Sequence, residues 1–325
     1  MSSRSIGKVK LELERHNINA SPHQISIVTP SFNAAHTIER MISSVRGSLD
    51  VDCELIVIDD CSTDSTSELI GRNIGPDLKL IRHNWNQGPS AARNAGVAAA
   101  TGKWVALVDA DDWIASERLS ALAGLAEKHN LDVISDNQYV VNSFGDAVRT
   151  RFSTLTGFGQ PLSTDVSLIS MSALVQHPGI GITQPLIRRE FLITHSIRYR
   201  TEFNFGEDYR LLFDLVNAGA QFGVIDTPYY YAELTEGSLT SNRVEMFSGM
   251  IEVFEDIKAE LIENNQPALA AKVEENIQQS RRTVAYGAVM DPLKSGRIIT
   301  ATLNLFRNPS FLAQLPGRIR RIFAK

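Results

Sequence analysis

The first half of the chain alternates short apolar runs with amphipathic segments. Runs of this length, bounded by turn-forming or acidic residues, are typical of strands buried on both faces of a parallel sheet. Segments between them, such as 37–46, carry apolar side chains at helical spacing. Strands alternating with helices predict βαβ units and a largely parallel sheet. The predicted strands span residues 25–29 (stopped by Pro30), 54–60, 78–81 and 104–108.

Polar clusters follow three of these strands: Pro30-Ser31-Phe32-Asn33, Asp59-Asp60 and Asp109-Ala110-Asp111-Asp112. Right-handed crossovers place these strand ends along one rim, where open α/β sheets bind ligands. An Asp-x-Asp pair there can hold one divalent cation, since Mg²⁺ takes one or two carboxylates and fills its other positions with water and phosphates. The rim is therefore expected to form a metal-assisted site for a nucleotide diphosphate. For an isolated Asp-x-Asp, a loop of solvated charges is the alternative.

The later part of the chain is less regular. Helices are predicted at 116–129 and 188–194 and a strand at 131–136, whereas 137–180 contains no clear element. Glu207-Asp208 opens a helix that Gly219 closes as a C-cap. A last strand is expected at 221–226. Tyr229–Tyr231 and residues 237–243 are expected to form a polar, aromatic loop.

From residue 244 the apolar positions recur at three- and four-residue steps, which predicts helices. We therefore divide the chain into a lead-in (1–23), an α/β domain (24–243) and a helical C-terminal region (244–325). The stretch 311–323 mixes apolar and basic residues, as a helix at a membrane surface does. A terminal helix docked on the fold, with solvated arginines, is the equally weighted alternative.

Composition narrows the class of protein. The chain has 325 residues, 43% of them hydrophobic and 21% charged, which is typical of globular proteins. It has no apolar run of about 18 residues and no signal-peptide core, so we expect a cytoplasmic protein, at the inner membrane face if the tail is interfacial. Cys53 and Cys61 form no metal-ligand pattern. The net charge of −5 argues against general nucleic-acid binding, although residues 292–325 include basic and no acidic side chains.

Five segments together resemble a known family. Residues 25–33, 55–64, 86–96, 104–113 and 206–208 come in the order and spacing of family 2 glycosyltransferases with the GT-A fold. The chain is similar, more loosely, to bacterial exopolysaccharide enzymes of the succinoglycan type. The resemblance covers about residues 24–243. It implies a Rossmann-like, mainly parallel sheet flanked by helices, with inverting transfer from a nucleotide diphosphate sugar, most often a UDP-sugar, and Mg²⁺ or Mn²⁺. The acceptor would be a saccharide or a polyprenyl-linked saccharide.

The resemblance also implies roles for donor-site residues. Pro30 and Phe32 would lie beside the nucleotide base, and Asp59 would accept a hydrogen bond from the uracil ring N–H. Phe32 stands where many relatives have Tyr, so it can stack but cannot hydrogen-bond. Arg93 would belong to the helix that faces the nucleotide and donor. Asp109 would lie near the ribose and the metal.

Other roles concern the metal and the acceptor. Asp111 matches the main metal ligand, Asp112 borders the donor site and Asp208 matches the catalytic base. Many relatives have Tyr-Arg and then His near the late loop, whereas Tyr231 is followed here by Ala232. Ser238 or Arg243 could take over the contact with the diphosphate, and the candidate contacts toward the diphosphate or the acceptor are Glu207, Ser238 and Arg243.

Glycosyl transfer requires a base for the attacking hydroxyl and stabilisation of the departing diphosphate. A carboxylate in the first turn of a helix has a structural explanation as well, because it interacts favourably with the helix dipole. Two other functions stay open. A nucleotidyltransferase would usually carry a Gly-rich, Lys- or Arg-bearing loop where Pro30-Ser31-Phe32-Asn33 stands. A catalytically silent nucleotide-sugar-binding protein would not need both Asp111 and Asp208.

Overall fold

A ten-stranded sheet flanked by helices forms the centre of the computed structural model, which describes residues 24–48, 51–142, 145–152, 166–234, 243–307 and 311. The strands are β1 Ile25–Ser31, β2 Cys53–Asp59, β3 Leu78–Arg82, β4 Trp104–Leu107, β5 Trp113–Ile114, β6 Val133–Val141, β7 Ala147–Thr150, β8 Ser167–Leu168, β9 Leu186–Arg188 and β10 Phe222–Glu233. The helices are α1 Ile38–Arg46, α2 Thr66–Arg72, α3 Pro89–Ala99, α4 Arg118–Lys128, α5 Met171–Gln176, α6 Arg189–Thr194, α7 Glu207–Asn217, α8 Arg243–Glu263, α9 Pro267–Lys294 and α10 Ile298–Arg307.

The N-terminal strands pair in parallel, as predicted. The main path of the sheet runs β3-β2-β1-β4-β9-β6-β10-β5, with β7 beside β6 and β8 beside β10. Val28 and Ile27 belong to different apolar clusters, because successive side chains of a strand point to opposite faces. Helices α1, α2 and α4 cover one face and α3 covers the other. The predicted α/β sheet with flanking helices is confirmed.

Close packing of α3 on the sheet depends on a glycine. A Cβ at Gly96 would lie 2.4 Å from a methyl carbon of Val28 and 2.6 Å from one of Ile58. Any side chain at this position would push α3 away from β1 and β2, because interiors packed at crystal density leave no room for an added methyl group. Helix α3 therefore lies close to the edge of the sheet at which the polar clusters are located.

Two expectations about strand ends were wrong. Pro30 does not stop β1, which continues to Ser31 and pairs there with β2 alone. A proline is tolerated at that point because β4 has already separated from β1, so no ladder hydrogen bond is lost on that side. Tyr229–Tyr231 lie in β10 and not in a loop, since β10 pairs with β6 as far as Glu233.

A strand that the sequence did not reveal changes the centre of the sheet. The three residues of β9 insert between β4 and β6 and run antiparallel to both. Arg188 ends this strand, and the predicted helix at 188–194 begins one residue later as α6. Because β9 runs antiparallel to β4, the residues just before β9 lie next to the end of β4 and the Asp109 cluster.

Long helices follow residue 243, as expected. Val253 and Ile277, from α8 and α9, lie in the same apolar cluster as side chains of the sheet. Gly219 follows α7 with φ +93°, in agreement with the predicted cap. Within the described residues no helix is long and apolar enough to cross a membrane. The lead-in and most of the predicted tail lie outside the described residues.

Candidate active site

The acidic segment after β4 is held in place by a buried tyrosine. The hydroxyl of Tyr230 donates to Asp112 Oδ2 at 2.7 Å and accepts from the backbone N–H of Asp109 at 3.1 Å. Asp112 Oδ1 accepts from the backbone N–H of Glu233 at 2.9 Å. Burial and the neighbouring Asp111 and Asp109 raise the pKa of Asp112 well above its usual value. Asp112 therefore fixes the segment to β10.

Asp111 lies on the open side of the same segment and is only partly buried. Desolvation, then the charges of Asp109 and Glu233, raise the pKa of Asp111 to about 6. Arg40 donates to the backbone carbonyl of Asp111 at 2.7 Å and its guanidinium lies 3.9 Å from the Trp113 ring centroid. Arg40 also pairs with the carboxylate of Glu233, so its hydrogen bond to Asp111 holds the peptide and not the carboxylate.

The buried guanidinium of Arg93 joins the two acidic parts of the site. Its Nη2 donates to Asp109 Oδ1 at 2.9 Å, and its Nη1 donates to Glu207 Oε1 at 2.9 Å. The same Nη1 lies 3.7 Å from Asp208 Oδ1. Arg93 comes from α3, Asp109 follows β4, and Glu207 and Asp208 open α7. One cation thus holds together carboxylates that are nearly a hundred positions apart in the chain, Asp109 and the Glu207-Asp208 pair.

Asp208 has the electrostatic environment of a proton acceptor. Desolvation chiefly, together with the Glu207 and Asp109 charges, raises its pKa to about 7 against the opposing effect of Arg93. Oδ1 of Asp208 has no hydrogen-bond partner in the described structure, although it is buried. The phenol ring of Tyr199 packs 5.2 Å from the Arg93 guanidinium and interacts electrostatically with Asp208. A pKa near the working pH is what general-base catalysis favours.

The expected base-binding residues surround the end of β2. Phe32 is 48% exposed and Pro30 is partly buried. Asp59 is fully buried: its Oδ1 accepts from the backbone N–H of Ser62 at 3.0 Å, and its Oδ2 has no hydrogen bond although Arg82 Nε lies 3.2 Å away. Oδ2 therefore keeps a lone pair for a ring N–H donor beside its ion pair with Arg82.

The neighbouring carboxylate, Asp60, has a structural task. It accepts from the backbone N–H groups of Gln87 and Gly88 and contacts Nδ1 of His83 at 2.6 Å. These contacts fix the loop that leads into α3. They therefore also fix the position from which Arg93 enters the site.

The donor set fits a divalent cation. Asp109, Asp111 and Glu233 interact as like charges, and the carboxylate of Asp111 is not hydrogen-bonded by another side chain in the described part of the chain. Both oxygens of Asp109 already accept, from Arg93 and from Gln184 at 2.6 Å, but each keeps a further lone pair. Among the described residues no three His, Cys, Asp or Glu side chains form a metal cage. A cation held by one or two carboxylates and by substrate phosphates needs none.

The late-loop candidates, Ser238 and Arg243, are not found at the site among the described residues. Ser238 lies outside them. Arg243 begins α8, and its guanidinium lies 6.0 Å from the Phe247 ring centroid. Sequence reasoning missed Tyr199 and Gln184, which contact the site from the stretch before α7. Neither has a local signal, because each reaches the cleft only through the insertion of β9 and the approach of α7.

The fold and this arrangement define a class of protein. Residues 26–173 match the sequence profile described as "Glycosyl transferase family 2". The fold is similar to that of TarS 1-349 from S. aureus, with a TM-score of 0.61, 22% identity and coverage of 91% of this chain and 82% of that one. Residues 26–173 therefore form a glycosyltransferase family 2 domain, and the chain has the GT-A fold.

Two relatives and one further solved structure are similar to most of this chain. The chain is 29% identical over 308 residues to the succinoglycan biosynthesis protein ExoO of Rhizobium meliloti, covering 93% of this chain and 87% of that protein. It is 28% identical to WfgD of Escherichia coli, a UDP-Glc:alpha-D-GlcNAc-diphosphoundecaprenol beta-1,3-glucosyltransferase, covering 71% of this chain and 85% of that one. Mannosyltransferase PcManGT of Pyrobaculum calidifontis, solved with GDP-Man and Mn²⁺, shares the fold at 17% identity and a TM-score of 0.59, covering 94% of this chain and 81% of that one.

Proposed function

We propose that this protein is an inverting, metal-dependent glycosyltransferase that moves a sugar from a UDP-sugar to a saccharide or polyprenyl-linked saccharide acceptor. The observation that carries the proposal is the Arg93 bridge, which holds Asp109 and the Glu207-Asp208 pair around one guanidinium. Direct displacement needs a base and a leaving-group site within one sugar ring of each other. The bridge supplies that proximity from three separate elements.

Asp208 is the base in this proposal. As the acceptor oxygen bonds to the anomeric carbon, its proton passes to the carboxylate, and the electron pair of the breaking bond leaves with the diphosphate. Arg93 neutralises part of the negative charge of Glu207 and Asp109 and holds both in fixed positions. A divalent cation bound by Asp111 and Asp109 would act as a Lewis acid toward the departing diphosphate. Attack from the side opposite the leaving group inverts the anomeric carbon.

The donor nucleotide follows from Asp59 and Phe32. Oδ2 of Asp59 is ion-paired with Arg82 but accepts no hydrogen bond in the described structure, so it can take one from the uracil N–H, and the half-exposed Phe32 ring packs on the base. TarS was solved with UDP-GlcNAc, and the WfgD name specifies UDP-Glc, which supports a UDP-sugar for this chain as well. The names of ExoO and WfgD support a role in exopolysaccharide or cell-surface glycan synthesis.

A mass-spectrometric screen of nucleotide sugars tests the proposal. The protein is incubated with UDP-, GDP- and ADP-sugars in Mn²⁺, with and without saccharide acceptors, and both donor consumption and product are measured. We expect consumption of a UDP-sugar that increases with acceptor and stops in EDTA. In a parallel incubation with nucleoside triphosphates and sugar phosphates, release of pyrophosphate would instead identify a nucleotidyltransferase. Binding without turnover of any donor would identify a silent binding protein.

A further inference from the structure

Helix α10 exposes a row of large apolar side chains. Ile299, Leu303 and Phe306 follow one another at i, i+4 and i+7, which places them on one face of the helix. Ile299 is 79% exposed and Phe306 is 80% exposed, and Ile298 beside them is also exposed. The opposite face packs on α9 through the buried Ala301. We call the row formed by Ile298, Ile299, Leu303 and Phe306 the α10 stripe.

From Pro292 onward, every charged residue near the α10 stripe in the sequence is basic. Lys294, Arg297 and Arg307 flank the stripe and are exposed. No acidic residue occurs from Pro292 to the end of the chain, although the whole protein has a net charge of −5. The same segment continues with more basic residues outside the described part: Arg318, Arg320, Arg321 and Lys325. An apolar row whose neighbours in the sequence from Pro292 onward carry only basic charge complements an apolar surface that carries negative charge.

A series of contacts connects α10 with the start of α7, which holds the candidate base. Gly206, which precedes α7, is so close to α8 that a Cβ there would lie 2.6 Å from Met250 Sδ. Two turns earlier in α8, Val244 packs against Gly287 of α9. Asn304 of α10 donates to the backbone carbonyl of the residue after Gly287 at 2.7 Å. The start of α7 and helix α10 are therefore linked through three contacts that pass by way of α8 and α9.

We propose that the α10 stripe docks on an anionic lipid bilayer. Apolar side chains of an amphipathic helix enter the boundary between headgroups and acyl chains, while basic residues remain among the anionic headgroups. A second copy of this chain fits the surface less well, because a symmetric contact would bring the same basic residues against each other. Docking at this end would present a lipid-linked saccharide to the candidate base. That last consequence rests on the proposed function, whereas docking itself does not.

Vesicle flotation of the full-length protein tests the proposal. Vesicles of phosphatidylcholine alone are compared with vesicles that also contain phosphatidylglycerol. Wild type should float with the anionic vesicles and be released by salt. The Ile299→Ser/Phe306→Ser variant should bind them at least about tenfold more weakly, because it loses the inserted apolar surface. Arg297→Gln/Arg307→Gln should lose about fivefold per residue at low salt.

A matched control uses apolar residues with comparable exposure elsewhere. Ile74 and Ile193 are each 58% exposed, and Ile74→Ser/Ile193→Ser should bind anionic vesicles as wild type does. Thermal melting should be unchanged in all variants, because the substituted side chains are exposed. Transfer to a soluble acceptor should also be unchanged by the α10 substitutions. A wild-type protein that floats with anionic vesicles but transfers no sugar would therefore count against the proposed function and not against docking.

Three results would overturn the proposal. One is equal flotation of wild type with neutral and anionic vesicles. Another is wild-type binding by both α10 variants, which would show that the stripe and its charges do not contact lipid. The third is a lipid-free dimer, measured by light scattering, that the Ile299→Ser/Phe306→Ser variant dissociates. That outcome would assign the stripe to contact between copies of this chain.

Discussion

Replacing Asp208 with Asn separates proton transfer from substrate binding. The variant keeps the shape of the side chain and removes its ability to accept a proton. Arg93 should stay in place, because its short contacts at 2.9 Å are to Asp109 and Glu207, whereas Asp208 lies 3.7 Å away. The start of α7 loses one favourable charge–dipole interaction, which costs about 0.3–1 kcal/mol. The variant should therefore fold and still bind nucleotide.

The expected loss of rate is large. A positioned general base contributes roughly 10²–10⁴-fold, so kcat should fall by about that factor while UDP affinity stays within a few-fold of wild type. Burial raises the pKa of Asp208 to about 7. Since the base must be ionised to accept a proton, the wild-type rate should increase as pH rises through about 7. The residual rate of the variant should lack this dependence.

Transfer is measured by single-turnover mass spectrometry of product between pH 5.5 and 9, and UDP affinity is measured by calorimetry. Glu207→Gln serves as the comparison within the site and should lose less rate than Asp208→Asn. Glu202→Gln removes an exposed charge just before α7 and controls for surface effects. Near-normal transfer by Asp208→Asn would refute the assignment. A larger loss in Glu207→Gln would transfer the role of base to Glu207.

Three further predictions concern the metal ligand, recognition of the nucleotide base and the stability of the fold. Asp111→Asn should weaken UDP binding in Mn²⁺ but change it little in EDTA; calorimetry showing equal loss in both would exclude a role as metal ligand. Wild type should bind UDP better than GDP or ADP and Asp59→Ala should reduce this preference, which a wild-type preference for GDP would contradict. Burial alone would raise the pKa of Glu54. The hydrogen bonds that its carboxylate accepts from Ser26, Thr101 and Lys79 outweigh this effect and lower the pKa to about 2. The lowered pKa contributes about 3 kcal/mol to the free energy of unfolding above pH 4.5, and this contribution is lost toward pH 2. Denaturant unfolding of Glu54→Gln should therefore differ from that of wild type at pH 7 and converge with it in acid.

The sequence alone determined the parts of the fold that depend on local pattern. Apolar runs of strand length and helical periodicity located β1 to β4 with their helices, and Gly219 marked the end of α7. The order of the acidic motifs indicated the family, because metal and base chemistry restrict which residue types can stand at each strand end. Asp109, Asp111 and Asp208 could therefore be selected as candidates before any contact was known.

Only the tertiary structure decided which side chains meet. Arg93 could be read from sequence as a solvated helix residue, yet it is buried among carboxylates from two distant elements. The insertion of β9 brings Gln184 onto Asp109, and the pairing of β10 with β6 turns an expected loop at Tyr229–Tyr231 into a strand that anchors Asp112. Periodicity reports how one residue lies relative to its near neighbours. Contacts across the sheet depend on the pairing of strands far apart in the chain, and their electrostatics depend on burial that only those pairings create.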